Sequence, residues 1–350
     1  MLNTIGKKGV SMHTMKCNGK TVRLIDTPGF DDSHRSDADV LQELAYWLVR
    51  AHEKHIKISG IVYLHRITDP RLQGSHLRGL DIFKKMCGTE AYSGIVMATT
   101  RWDKVSSDDG NRRQAELRKK REFWGEIREG GGNITTTSSG KLSAKQILQH
   151  IVRNDRRLTL QIQREMGDLG FELYQTAAGN VLYSSWMVEK MRLETQMNVL
   201  RSKINSEVTM NSTYQARALE DDLAKFSKEI DERGEALNKL RIPAQKLVTS
   251  WDEKGTTDLE NLRTLRRESE QSLAALKRKQ NDDTNWGFED FEERIQKLEK
   301  RIRQLRTYEG NKMQTYSPVI NTVTAAAGVI GPIAAAILPI LIPAAACTIM

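Results

Sequence analysis

The chain has 350 residues, 39% of them hydrophobic and 28% charged, with a formal net charge of +9. That length is enough for more than one structural unit with its own core. The positive balance comes from mixed signs with no basic patch interleaved with aromatics, which argues against a nucleic-acid partner. Cys17, Cys87 and Cys347 have neither paired nor metal-ligand spacing, which fits a reducing compartment. No basic start followed by a long apolar core opens the chain. A cytoplasmic location is expected.

Residues 1–155 read as an α/β unit. Met12–Lys16 and Thr21–Asp26 form two candidate strands joined at Asn18-Gly19, a strong hairpin signal. Asp37–Glu53 has Val40, Leu41, Leu44, Trp47 and Leu48 at helical spacing. Ile58–Leu64 reads as a buried strand, Leu77–Met86 as a helix and Gly94–Thr99 as the next strand. Arg112–Glu129 reads as one charged helix, Asn133–Thr137 as a last strand and Ser143–Val152 as a last helix. Alternation of this kind argues for a mostly parallel, layered sheet.

The middle of the chain changes character. Leu193, Met197, Leu200 and Ile204 step by three or four residues. So do Leu219, Leu223, Phe226 and Ile230, with Leu237 and Leu240 beyond Arg233, and again Phe291, Ile295, Leu298, Ile302 and Leu305. Each series predicts a helix with one apolar seam that buries against another helix. Pro243 and the stretch 281–287 interrupt the pattern, so 185–308 is expected to hold two or three long helices. Pairing with a second chain and folding back as an antiparallel bundle are both open. From Ala325 to Met350 no residue is charged. Since about 20 apolar helical residues cross a bilayer, 318–350 is expected to be a membrane-associated tail, tail-anchored or peripheral. A buried helical hairpin is the competing reading.

Two short motifs carry chemistry. Residues 24–32 read LIDTPGFDD: an apolar strand that stops at an Asp, then Thr-Pro-Gly. Asp26 would end the strand and reach Mg²⁺ through water. Pro28-Gly29 would turn the backbone so that the Gly29 amide meets a terminal phosphate oxygen. Residues 99–103 read TTRWD after the next-but-one strand, where a guanine-reading loop has the form [N/T]-K-x-D. A carboxylate at Asp103 can accept from guanine N1–H and the exocyclic amine together. The Arg101 guanidinium can stack where a Lys stem would lie. The competing role for Asp103 is a helix N-cap. Phe30 stands where a water-orienting side chain would be needed, and His34 is the nearest imidazole.

Together LIDTPGFDD, IVYLHRITDPRLQGS at 61–75, FKKMCG at 83–88 and VMATTRWDKV at 96–105 resemble the translation-factor-like and AIG/septin-like P-loop GTPases. Within that group the pattern is similar to the fungal G-domain proteins with a long coiled C-terminal half. The resemblance spans roughly 12–155. It implies an incomplete three-layer P-loop NTPase-type sheet binding GTP or GDP with Mg²⁺. By that resemblance Asp26, Thr27 and Gly29 lie on the γ-phosphate side, and Thr100, Arg101 and Asp103 hold the base. A base-flanking loop is implied near Ser138–Gly140, with Ser143-Ala144-Lys145 opening the last helix. The first strand and the GxxxxGK[ST] loop have no counterpart; Gly6–Gly9, GKKG, is too short. Hydrolysis is therefore not expected of this chain. Either the chain is an incomplete version of a longer GTPase, the preferred expectation because Asp26, Gly29 and Asp103 persist, or it is a degenerate relative. Beside the GTP-binding switch, the alternative function is a non-catalytic coiled-coil scaffold, self-associating or membrane-bound.

Overall fold

Asn18 and Gly19 both adopt positive φ (49° and 76°). That is the backbone a two-residue turn needs if it is to match the twist of its strands. It closes a hairpin of β1 (Ser11–Cys17) and β2 (Lys20–Asp26), paired antiparallel from Cys17–Lys20 to Ser11–Asp26. The computed structural model describes residues 9–30, 35–69, 74–137, 141–209, 213–282, 288–326 and 346–349. After the hairpin come α1 (Asp37–Glu53), β3 (Ile58–Arg66), α2 (Ser75–Cys87), β4 (Ile95–Thr100) and α3 (Ser107–Lys119). β5 (Asn133–Thr136) and α4 (Lys141–Asn154) complete the α/β unit. Ser143, Ala144 and Lys145 lie in the first turns of α4, as expected.

The sheet has the order β1-β2-β6-β3-β4-β5, and every pair except β1–β2 is parallel. β6 (Ala346–Ile349) comes from the far end of the chain and lies between β2 and β3. Alternation along each strand sorts the apolar residues to two faces. Ile25, Ile61, Ile95 and Met97 join the main core with α1 and α2. Val62, Val96 and Ala98 meet Ile151 of α4 on the other face, where Val22 also packs on Leu148 and Val152. The result is three layers, helix–sheet–helix.

α1 is buried nearly all round: Ala38, Val40, Leu41, Ala45, Tyr46, Leu48 and Val49 are at most 2% exposed. At about 1.5–3 kcal/mol per large side chain buried, this helix is a principal source of stability. One face meets the sheet; the other is covered by the long helices α5 (Ala177–Thr209), α6 (Thr213–Leu240) and α7 (Ala244–Asp282), while α8 (Phe288–Ala326) packs on α7 and β1. α5 and α6 run antiparallel, with Arg233 bonded to Glu189 at 3.2 Å and Arg241 to Tyr183. α7 and α8 do likewise, through Lys277–Glu299, Arg306–Glu270 and Lys312–Asp258 at 2.6–2.9 Å. Leu193 and Leu237 fill the first seam; Leu259, Ile295 and Ile302 are buried in the second pair.

Three expectations change. The middle region holds four long helices rather than two or three, because the periodicity of α5 continues into the α/β body and that of α7 is diluted by charge. The expected single helix Arg112–Glu129 breaks at Lys120 into a wide turn, Arg121–Gly125, and a last helical turn, Glu126–Glu129. The buried ammonium of Lys84 takes the Arg121 and Glu122 carbonyls (2.8 and 3.2 Å) and the Glu126 carboxylate (3.2 Å). Carbonyls spent on Lys84 leave the regular ladder, and Phe123 and Trp124 both turn inward. The membrane expectation is also corrected. Among the described residues, no helix is long and apolar enough to cross a membrane. Of the expected tail, 318–326 continue α8, 346–349 form β6, and 327–345 and 350 lie outside the described residues.

Candidate functional site

Parallel pairing sends the C-terminal ends of β2, β3, β4 and β5 to one edge of the sheet. Asp26 is the last residue of β2, and Thr100 the last of β4. The two motifs found in the sequence therefore open on the same edge, separated by β6 and β3. Three inter-strand spacings amount to about 14 Å, a separation suited to an extended nucleoside triphosphate.

On the first side Asp26 and Thr27 are half-buried and Gly29 is exposed. Among the described residues, no heavy atom lies within 4 Å of where a Gly29 side chain would project. Phe30 packs on the main core, which anchors the turn from behind. The GKKG segment (apart from Gly9), His34 and Ser138–Gly140 lie outside the described residues.

The second side is built more tightly. Arg101 is left-handed (φ 64°, ψ 32°), a conformation that costs a non-glycine residue about 1 kcal/mol or more and turns the chain out of line with β4. Trp102, Asp103 and Lys104 follow as one 3₁₀ turn. Beneath it, the fully buried Thr99 hydroxyl accepts from Trp102 Nε1 (2.9 Å) and Gln114 Nε2 (3.2 Å) and donates to the Thr135 carbonyl (3.3 Å). A side chain at Gly110 would come within 2.5 Å of the Trp102 ring, so α3 can lie against the indole only because residue 110 is glycine. Thr100 donates to the His65 carbonyl (3.4 Å) and accepts from the Ile67 amide (2.9 Å), tying the ends of β3 and β4 together.

Asp103 is not a helix cap. Ser106 caps α3, accepting from the Asp109 amide at 3.2 Å. The Asp103 side chain is 49% exposed, with Lys104 Nζ 3.7 Å away. Arg101 is exposed beside it. Sequence reasoning singled out Thr100, Arg101 and Asp103 as candidates but not the residues that support their loop, Thr99 and Gln114. Thr99 lay within the quoted motif; Gln114 carried no signal, because only tertiary packing brings it under the loop.

Replacing Thr99 by Val keeps the shape but strands two buried donors. Each costs about 1–3 kcal/mol, so Thr99→Val is expected to destabilise the chain by at least about 2 kcal/mol, read as a lower urea midpoint. A larger loss than for Thr100→Val is expected, since Thr100 makes one long bond.

His65 lies under this edge, buried, with the Trp124 ring edge-on at a centroid distance of 5.6 Å. Burial holds its imidazole below the ordinary range; Asp69 pulls it up, and His76 and Arg66 push it down again. A depressed histidine favours the fold above the unfolded value, about 6.5. That stability is lost as pH falls through 6.5 toward the folded value, because the unfolded chain takes the proton first. Denaturant midpoints are expected to fall between pH 7 and pH 5, and His65→Gln to flatten that slope.

Among the described residues, no group of three or more His, Cys, Asp or Glu could hold a metal ion. A single carboxylate at Asp26 fits Mg²⁺ arriving with phosphates and water and does not fit a metal bound by protein alone.

No protein-family model and no curated protein matches the chain. Among solved structures it is similar to Toc33 from Arabidopsis thaliana, crystallised as a dimerization-deficient mutant. Identity is 15%, the match covers 43% of this chain and 72% of that one, and the TM-score is 0.33. A likeness at that level carries no argument, and the functional assignment falls to the site itself.

Proposed function

We propose that the α/β unit is a P-loop-GTPase-like module that binds guanine nucleotide along the edge where β2 and β4 end. Asp103 accepts from guanine N1–H and the exocyclic amine, Arg101 stacks on the base, and Thr100 fixes the loop. Asp26, Thr27 and the Gly29 amide face the phosphate end, with Mg²⁺ held by Asp26, water and phosphate. The reading is supported above all by one observation: two loops of complementary chemistry open on the same sheet edge, a nucleotide's length apart. Phe30 is packed into the core and offers no group to position water, so the proposal is binding without hydrolysis by these residues. The α5–α6 and α7–α8 pairs are the arms through which an effector would be engaged. Their seams close within one chain, so the heptad-like spacing by itself requires no second copy.

The test is calorimetric titration of the full chain with Mg·GTP, Mg·GDP and Mg·ATP. Saturable binding with guanine favoured over adenine by at least about tenfold, about 1.4 kcal/mol, is expected. Equal response to ATP and GTP would remove the guanine reading.

A further inference from the structure

β1 pairs with β2, β3 with β4, and β4 with β5. Among the described residues, no direct pairing joins β2 to β3. Asp26 therefore ends a strand of a hairpin, and Thr100 ends a strand of a separate three-stranded sheet. Between the two stands β6, four residues long and parallel to both neighbours. Val22, Arg23, Leu24 and Ile25 lie beside Ala346, Cys347, Thr348 and Ile349 on one edge. On the other edge Ile58, Gly60 and Ile61 lie beside Cys347, Thr348 and Ile349, with an irregular step between Ile58 and Gly60.

Ile349 is the shared partner of Ile25 and Ile61. It sets how far along the sheet Asp26 stands from the end of β4. Packing would not set this by itself. Ile25 and Ile61 share one core, and α4 lies against both halves from the other face. Apolar contact is non-directional, whereas strand pairing fixes which residue lies beside which. The gap also has a definite chemistry. Two inter-strand spacings, about 9.6 Å, admit one extended chain, and a helix about 10 Å or more across is too wide. Both edges point the same way, so a guest must run parallel to each. Helices cover both faces of the sheet, so the guest must be uncharged on both sides. Segment 346–349 reads Ala-Cys-Thr-Ile.

We infer that the gap between β2 and β3 is a strand-acceptor site, that its ligand is the chain's own segment 346–349, and that this segment positions the two nucleotide loops relative to each other. With the site filled, the Asp26 turn and the 100–103 loop belong to one sheet. With it empty they belong to two, and the facing edges are left with unsatisfied backbone groups. The positioning role rests on the proposed nucleotide site; the strand-acceptor site does not.

Two measurements on the full chain test this. Arg23 and Cys347 are register partners. Neighbouring strands bring paired Cα atoms to about 4.8 Å, inside the range of about 4.4–6.8 Å that a disulfide spans. Arg23 is exposed, so Arg23→Cys should leave the fold intact. Oxidation with diamide is expected to join residues 23 and 347 within one chain, read by mass spectrometry of the digest and as a monomer on a non-reducing gel. Adding Cys347→Ser should abolish the link. No link, or a link between two chains, would overturn the assignment. The second measurement is hydrogen–deuterium exchange of Thr348→Pro, since proline gives no amide and is excluded from central strands. Exchange is expected to rise by at least about tenfold at 22–25 and 58–61, while the α7–α8 pair keeps its wild-type rates. Wild-type rates at 22–25 and 58–61 would overturn the inference. Should exchange rise throughout, proline has unfolded the chain and the cross-link alone decides. Mg·GTP affinity is expected to fall by at least about tenfold in Thr348→Pro and to be kept in the oxidised Arg23→Cys chain. Unchanged affinity in Thr348→Pro would overturn the positioning role. A wild-type chain that binds no GTP, with the cross-link and the exchange as expected, would remove the nucleotide reading and leave the strand-acceptor site.

Discussion

Asp103→Ala is expected to abolish the preference for guanine and to lower Mg·GTP affinity by roughly 10- to 100-fold. A hydrogen bond to a charged group contributes about 1.5–3 kcal/mol, and each 1.4 kcal/mol is tenfold. The carboxylate would make two such bonds to one base edge, so the upper end is favoured. The fold should be indifferent: the side chain is half exposed, caps no helix and, among the described residues, is paired with Lys104 alone. Unchanged urea midpoints would therefore accompany lost binding, separating a recognition defect from unfolding. Asp103→Asn makes a sharper test. An amide offers one acceptor and one donor, which suits xanthine, whose C2 carries a carbonyl where guanine has an amine. Calorimetry with XTP against GTP is expected to show the order reversed. A variant that binds neither, or GTP as before, would show that Asp103 does not read the base.

Trp124→Ala is expected to cost about 3–5 kcal/mol, a large part of the 5–15 kcal/mol that holds a typical domain together. Trp124 is fully buried, lies edge-on to His65 and sits in the wide turn held by Lys84. Among the described residues, its buried indole Nε1 has no hydrogen-bond partner. Trp124→Phe removes that orphan donor while keeping most of the volume, so its loss should be well under half that of the alanine variant. Equilibrium urea unfolding of both variants at pH 7.5, where His65 is neutral, gives the comparison. Similar losses for Phe and Ala would mean that the indole nitrogen has a partner after all.

Much of the α/β unit was legible because local rules and tertiary demands agree there. The hairpin at Asn18-Gly19, the helix Asp37–Glu53 and the strands ending at Asp26 and Thr100 each follow from a turn pair or a single clean period. The break at Lys120 was not legible: residues 112–129 look helical, and the carbonyls that interrupt them are taken by Lys84, more than thirty residues away. The candidate site divides in the same way. Asp26, Gly29 and Asp103 announce themselves by type and order, whereas Gln114 becomes part of the site only by lying under Trp102.

Sequence by itself determined the periods: two-residue alternation for the strands, three-and-four spacing for the long helices, and proline at the break between α6 and α7. Those follow from side-chain geometry along one element and need no partner. Tertiary structure alone decided what each apolar surface meets. The four long helices close on one another in antiparallel pairs, and α5, α6 and α7 also on α1, a choice among surfaces that look alike in sequence. The uncharged end was read as a bilayer segment because apolar length is the same signal for lipid and for protein interior. Residues 346–349 instead pair with β2 and β3. Two facing strand edges carry unpaired amides and carbonyls that must be satisfied, and a short extended segment satisfies both at once.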